Sequence, residues 1–193
     1  MKEFAVTIEG TTPMILNRFT EEAQKKATSG NTVSTVGDRG TPREIAEKKL
    51  YTSADGKKLI LPGPNMFRCL IDAGKFFKAG KSKVTTQKSS LIPAAVAMND
   101  IEIPIKYKEP WEVDSRPVRI PSTGGRILAH RPMFNDWSLS FSLELDETII
   151  SPALLREIVD AAGKRIGIGD FRPDCKGMFG KFVVTHWKNG DAA

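Results

Sequence analysis

The chain has 193 residues, of which 40% are hydrophobic, and its formal net charge at pH 7 is +6. This length suffices for one hydrophobic core, and the positive charge is compatible with nucleic acid or another anionic partner. Two cysteines, Cys69 and Cys175, exclude a disulfide framework or a metal knuckle. No apolar run approaches the roughly 20 residues of a transmembrane helix. We therefore expect a cytoplasmic protein with free thiols and no membrane partner.

The first third of the chain alternates between short elements and polar segments. In residues 3–9 every second residue is apolar, which places the apolar side chains on one face and predicts the first strand. Residues 18–43 are polar with almost no apolar anchor, as in functional or disordered loops. A short helix is predicted from Pro42 to residue 51. A strand over 58–61 leads into a helix that opens at Pro62-Gly-Pro-Asn65.

The middle of the chain predicts a large basic insertion. Residues 75–88 are rich in lysine with little acid to balance them, and residues 91–105 are apolar and β-prone. A hairpin is predicted over 112–131, with Pro121-Ser-Thr-Gly-Gly125 at its turn. We assign the insertion to about residues 75–135 of a single domain that spans 1–193.

The last third predicts a strand, a helix, a glycine loop and a final strand. Residues 137–145 alternate cleanly, as in a half-buried antiparallel strand. Ser151-Pro152 begins a helix with an apolar face, and a strand over 181–187 ends the pattern. Without its insertions the chain approximates β-α-β-β-α-β, an α+β ferredoxin-like (RRM-like) fold with one open sheet face.

The segment between that helix and the final strand, residues 163–180, is called the glycine loop below. It holds five of the sixteen glycines, and cations alternate with them. Glycine lets backbone N–H groups approach an anion closely, which predicts phosphate contact. For Gly163 and Gly167, a helix C-cap followed by turns is an alternative explanation that needs no ligand.

Several catalytic and cofactor motifs are absent from the sequence. Gly163-Lys164 lacks the spacing of a P-loop, and Gly167-Ile-Gly169 does not continue as a dinucleotide fingerprint. His130 and His186 are too few for a histidine metal cluster. No Gly-x-Ser-x-Gly nucleophile elbow occurs. We expect neither a cofactor nor a metal.

Three segments, in this order, resemble the RAMP superfamily of CRISPR-associated proteins, in particular the backbone subunits that coat guide RNA. They are the N-terminal strand with its short apolar turn, the helix start Leu61-Pro-Gly-Pro-Asn-Met66, and the stretch from Gly167-Ile-Gly169 to Gly177-Met-Phe-Gly180. The resemblance implies an RRM-like core with a hairpin "thumb" that reaches across RNA. The family's usual Lys and Arg after the helix start are here Phe67 and Ile71, with Arg68 next to the first.

The resemblance implies a non-catalytic protein that coats guide RNA, with copies stacked head to tail and other effector subunits as partners. Lysine and arginine would neutralise phosphates without reading sequence. The expected RNA-contact residues are Arg68, Lys75, Lys78, Arg116, Arg119, Arg126, Arg131, Lys164, Arg165, Gly167, Gly169, Phe171, Arg172, Lys176 and Lys181.

Two other functions stay open at this point. A phage-type protein that binds or anneals single-stranded DNA would use the same basic groove and aromatic platform. An endoribonuclease of the same superfamily would need a catalytic group. Some guide-coating members cut target RNA with an aspartate in the loop after the first strand, where Asp38 is the candidate here.

Overall fold

The computed structural model describes residues 1–28, 40–119 and 124–189. The strands are β1 (Lys2–Gly10), β2 (Met14–Ile15), β3 (Ile60–Pro62), β4 (Lys78–Ala79), β5 (Ser82–Lys83), β6 (Val96–Ala97), β7 (Glu102–Pro104), β8 (Lys106–Tyr107), β9 (Glu112–Arg119), β10 (Arg126–Phe134), β11 (Trp137–Leu145) and β12 (Phe182–Asn189). The helices are α1 (Glu21–Thr28), α2 (Pro42–Glu47), α3 (Gly63–Ala73), α4 (Ile92–Ala95) and α5 (Pro152–Ala161), with 3₁₀ turns at Gly74–Phe76 and Pro173–Cys175 and a π-helical turn at Ala162–Ile166.

The largest sheet is antiparallel and has the order β12-β1-β11-β6, with β8 also pairing with β11. In the β1–β11 pair, Phe4 lies opposite Leu143 and Val6 lies opposite Phe141. These side chains are buried while the residues between them are not, because successive side chains of a strand point to opposite faces. The predicted strands over 3–9 and 137–145 are confirmed.

Helices α3 and α5 pack against each other and supply the helical side of the core, including Leu70 and Leu155. Helix α5 begins as the sequence predicts, since the Ser151 hydroxyl accepts a hydrogen bond from the Leu154 N–H at 3.2 Å. The core is therefore a layer of helices on one face of the antiparallel sheet.

The predicted hairpin is present as β9 and β10, which pair in register from Arg119 opposite Arg126 to Glu112 opposite Met133. The returning strand continues past the predicted end at residue 131 to Phe134. There it pairs with β2, which fixes the base of the hairpin to the segment that follows β1. Residues 120–123, which include part of the predicted turn, lie outside the described residues.

Three segments differ from their predictions. The polar stretch after β1 contains α1, whose first turn is capped by a hydrogen bond from the Ala23 N–H to the Thr20 hydroxyl at 3.3 Å. The β-prone run from 91 to 105 is divided among α4 and two short strands, with Pro93 in the first turn of the helix. The lysine-rich run from 75 to 88 forms the small β4–β5 hairpin. Among the described helices, none has the length and apolar composition needed to cross a membrane.

Candidate nucleic-acid interface

The glycine loop is a packed element with its own hydrogen bonds. Its Asp170 N–H donates to the Ile15 carbonyl at 2.7 Å, and its Gly180 N–H donates to the Pro13 carbonyl at 2.8 Å. Inside the loop, the Ile168 N–H donates to the Gly180 carbonyl at 3.0 Å. The loop is thus fastened to the segment around β2, which also pairs with the hairpin.

The glycines of the loop are needed for its backbone path. Gly167, Gly169 and Gly180 have φ values of 73°, 79° and 69°, where other residues are strained. At Gly163 the reason is packing, because a Cβ atom there would lie 2.1 Å from the Phe182 carbonyl oxygen. Gly167 caps the π-helical turn, donating its N–H to the Ala162 carbonyl at 2.8 Å. The alternative explanation, a helix C-cap that needs no ligand, therefore holds for Gly167.

The predicted phosphate nest is wrong for three of these glycines. The N–H of Gly167 is bonded as above, the N–H of Gly180 is bonded to Pro13, and the N–H of Gly177 donates to the Arg172 carbonyl at 2.9 Å. Donors that already hold backbone carbonyls are not available to an anion. The N–H groups of these three glycines therefore do not form an anion site.

A first cluster of rings and cations forms where the hairpin meets the loop, and we call it the Arg116 cluster. The Arg116 guanidinium carbon lies 4.7 Å from the centroid of the Phe179 ring and 5.9 Å from that of Phe171. Phe179 is buried, whereas Phe171 is 37% exposed. Phe171 has a φ of 50°, and its N–H donates to the side chain of Asp170 at 2.8 Å. The cluster presents one ring face and one arginine to solvent.

Arg131, predicted to contact RNA, is buried instead. Its side chain is 6% exposed and lies between two carboxylates. Nη2 donates to Asp114 on β9 at 3.1 Å, and Nη1 donates to Asp170 of the glycine loop at 2.7 Å. Asp114 also binds Arg116. An arginine in this position cannot reach a phosphate, so the prediction for Arg131 is wrong.

A second cluster lies at the end of α3, and we call it the Phe76 cluster. Phe76 is 42% exposed, with Arg165 at 4.7 Å and Lys75 at 5.3 Å from its ring centroid. Lys75 binds Asp174 of the glycine loop at 2.7 Å. Lys164, beside Arg165 in the π-helical turn, is exposed. Phe76 is not among the contact residues expected from the sequence, so this ring was missed.

A polar cleft of about 240 Å³ separates α3 from the glycine loop. Arg68 and Arg172 line it, as do Asn17, Asn65 and Tyr51, which the sequence did not single out as ligands. Arg68 binds Asp72 at 3.0 Å, and this hydrogen bond raises the pKa of the arginine. The one signal for Asn65 was its place in the Pro-Gly-Pro-Asn helix start. We call the cleft and the two clusters together the basic-aromatic surface.

The remaining predicted contact residues are not among those that define the two clusters and the cleft. Arg119 and Arg126 are exposed and directly opposite each other near the tip of the hairpin. Like charges in that arrangement repel, which favours an anion beside them. Lys78 and Lys176 are exposed, and Lys181 is half-buried at the start of β12. Asp38 lies outside the described residues.

The open face of the large sheet has no aromatic side chain on β1 and β11, whereas exposed His186 on β12 lies opposite Thr7. Its residues on β1 and β11 include Ala5, Thr7, Ser140 and Ser142, and the Thr7 and Ser140 hydroxyls lie 3.1 Å apart. Small hydroxyl side chains cannot stack on bases as aromatic rings do. Exposed rings flanked by cations occur instead on the glycine loop and at the end of α3.

Over residues 1–28, 40–119 and 124–189, no three His, Cys, Asp or Glu side chains are grouped as ligands for a metal ion. His130 accepts or donates one hydrogen bond, with its Nδ1 2.7 Å from the Ser115 hydroxyl.

Comparison with known proteins shows a likeness to solved structures. No family model matches the chain, and no curated protein sequence matches it. A chain of the cryo-EM structure of the Type III-B Cmr-beta bound to cognate target RNA superposes with a TM-score of 0.57 at 11% identity. The match covers 100% of this chain and 62% of that one. The chain therefore shares the fold of a subunit of that complex and spans less than two thirds of its length.

Proposed function

We propose that this protein is an RNA-binding subunit of a CRISPR-type ribonucleoprotein. The observation that carries the proposal is the basic-aromatic surface, where exposed Phe171 and Phe76 each lie against an arginine. Proteins bind single-stranded nucleic acid through two kinds of interaction, the stacking of bases on aromatic rings and the neutralisation of phosphates by cations. The likeness to a chain of an RNA-bound complex supports this function independently of the residues.

The topology supports a ferredoxin-like core. The elements β1, α3, β6, β11, α5 and β12 follow one another as strand, helix, strand, strand, helix, strand. The hairpin β9–β10 interrupts this series between β6 and β11, where a thumb would be inserted. In this scheme the sheet is the scaffold, and the RNA lies on the loops at its edge.

The RNA path that we propose runs from the Phe76 cluster across the glycine loop to the hairpin. Lys75 and Asp174 connect the first two, and Arg116 connects the last two. The proposed contact residues are Arg68, Lys75, Lys78, Arg116, Arg119, Arg126, Lys164, Arg165, Phe171, Arg172, Lys176 and Lys181. Gly167 and Gly169 shape the loop.

As a guide-coating backbone subunit, the protein would repeat along the RNA. A head-to-tail contact that does not close generates a filament rather than a ring. Sedimentation of the protein with RNAs of increasing length would test this. Particles that grow stepwise with RNA length support the backbone role, and a single protein copy on every RNA contradicts it.

Fluorescence anisotropy with single-stranded RNA and DNA of one sequence tests the function itself. We expect RNA to bind more tightly than DNA, because only RNA offers a 2′-hydroxyl. Equal affinity would favour the single-stranded DNA-binding alternative, and no binding to either strand in dilute buffer would refute the proposal. Electrophoresis of the same RNA after incubation, with and without divalent metal, would reveal cleavage if the endoribonuclease alternative holds.

A further inference from the structure

The hairpin and the glycine loop are joined by a buried ion-pair bridge. Arg131 extends from β10 and places one nitrogen on Asp114 of the neighbouring strand and the other on Asp170 of the loop. These partners are 17 and 39 residues away in sequence, so the bridge links two separate segments. The Arg131 and Asp114 side chains are 6% and 5% exposed, respectively.

The bridge is continuous with the Arg116 cluster. Asp114 binds both Arg131 and Arg116, and Arg116 lies over the rings of Phe171 and Phe179. On the other side, Asp170 holds the N–H of Phe171, the residue that follows it. One end of the bridge, Asp114, thus holds Arg116, and the other end, Asp170, holds the backbone of Phe171.

We infer that Arg131 is a positioning residue, which locks the hairpin to the glycine loop so that Arg116 and Phe171 form one rigid platform for RNA. Its geometry demands arginine, because the planar guanidinium spans two carboxylates while a lysine ammonium is a single point charge. The one buried polar side-chain atom without a hydrogen-bond partner in the described residues is Nε of Arg131. Both terminal nitrogens, in contrast, are committed to the bridge. This inference depends on the proposed function for its effect on RNA, though not for the bridge itself.

Replacing Asp170 by asparagine tests the inference, because simple electrostatics and the positioning role predict opposite changes in RNA affinity. Asparagine keeps an oxygen for the Phe171 N–H, but its amide cannot accept from Arg131 at the same time. The substitution removes a negative charge beside the RNA, so simple electrostatics predicts tighter binding. The positioning role predicts that binding weakens about fivefold, the size of effect that such coupling networks produce.

Asp174→Asn is the matched control, since Asp174 lies on the same loop and its partner Lys75 is 45% exposed. There the loss of the carboxylate frees a lysine for phosphate, and we expect binding about twofold tighter, because exposed pairs are weak. Arg131→Lys keeps the charge and should weaken binding as Asp170→Asn does.

Hydrogen exchange of the protein without RNA gives a second readout. In Asp170→Asn, amide exchange should accelerate in both the hairpin and the glycine loop while the large sheet stays protected; Asp174→Asn should leave the hairpin unchanged. Unchanged exchange in Asp170→Asn, or RNA affinity equal to or above that of the unsubstituted protein, would overturn the inference. If the unsubstituted protein binds no RNA, the proposed function fails, and exchange alone decides whether the bridge locks the two segments.

Discussion

Removal of two cations from the Phe76 cluster should lower the salt dependence of RNA binding by an amount that can be calculated from the number of lost phosphate contacts. Lys164 and Arg165 are exposed in the π-helical turn, and Arg165 lies 4.7 Å from the Phe76 ring. Each phosphate contact contributes about 0.7 to the slope of log K against log salt for a single strand. Lys164→Ala with Arg165→Ala should therefore lower the slope by about 1.4 if each side chain neutralises one phosphate.

Over a fourfold change in salt, this difference in slope alters the affinity ratio of the two proteins by about sevenfold. The double variant would thus bind much more weakly than the unsubstituted protein at low salt and approach it at high salt. Anisotropy titrations at four or more salt concentrations measure the slope, and thermal unfolding checks that the fold is kept.

A control pair separates local contact from overall charge. Lys57 and Lys58 are exposed on the turn before β3, and replacing both by alanine removes the same two charges. This control should leave the slope nearly unchanged. Equal losses in both double variants would mean that only the net charge of +6 matters, and the assignment of RNA to the Phe76 cluster would be refuted.

Three further predictions follow from the loop and its surroundings. Phe171→Ala should weaken RNA binding by about 1–3 kcal/mol with an unchanged salt slope, because a ring contributes stacking rather than charge; a reduced slope would contradict the stacking role. Gly163→Ala should destabilise the fold by about 2 kcal/mol and lower the melting temperature by about 4–8 °C, since its Cβ would strike the Phe182 carbonyl. An unchanged melting temperature in Gly163→Ala would remove the packing argument. Burial raises the pKa of the Cys69 thiol, so in a thiol-labelling assay only exposed Cys175 should react rapidly. The Cys69 thiol stays protonated in the folded state, so above a pH of about 8.5 only the unfolded state releases its proton. The free energy of unfolding should therefore fall as the pH rises through this range, and it should fall less in Cys69→Ala. Rapid labelling of both cysteines would show that Cys69 is not shielded.

The strands that alternate could be read from the sequence because their signal is local. Phe4, Val6 and Ile8 define a buried face without knowledge of any partner. Helix α1 was missed because it has a cap at Thr20 but no apolar stripe to mark it. The short strands β6 and β7 were merged into one run, since each is only two or three residues long and is fixed by its pairing partner.

The site could be predicted only in part. The sequence predicts cations on both the glycine loop and the hairpin, but charge alone does not reveal which of them are already paired. Arg131 and Arg116 look alike in the sequence, and only the folded chain places Asp170 against the first. The sequence likewise does not show which backbone N–H groups of the glycine loop are already hydrogen-bonded, and several of those that could bind an anion donate to carbonyls instead.

The ion pairs of the basic-aromatic surface explain how it can be ordered before RNA arrives. Arg68, Lys75 and Arg116 each hold an acid, and all three keep solvent access, with side chains 69%, 45% and 35% exposed. Exposed pairs contribute little to folding, yet they restrict the rotamers of long side chains. When RNA binds such a surface, the side chains lose less conformational entropy than unrestrained lysines would, but the RNA must share each cation with a carboxylate. Affinity should then depend more on the rings of Phe171 and Phe76 than on the number of cations.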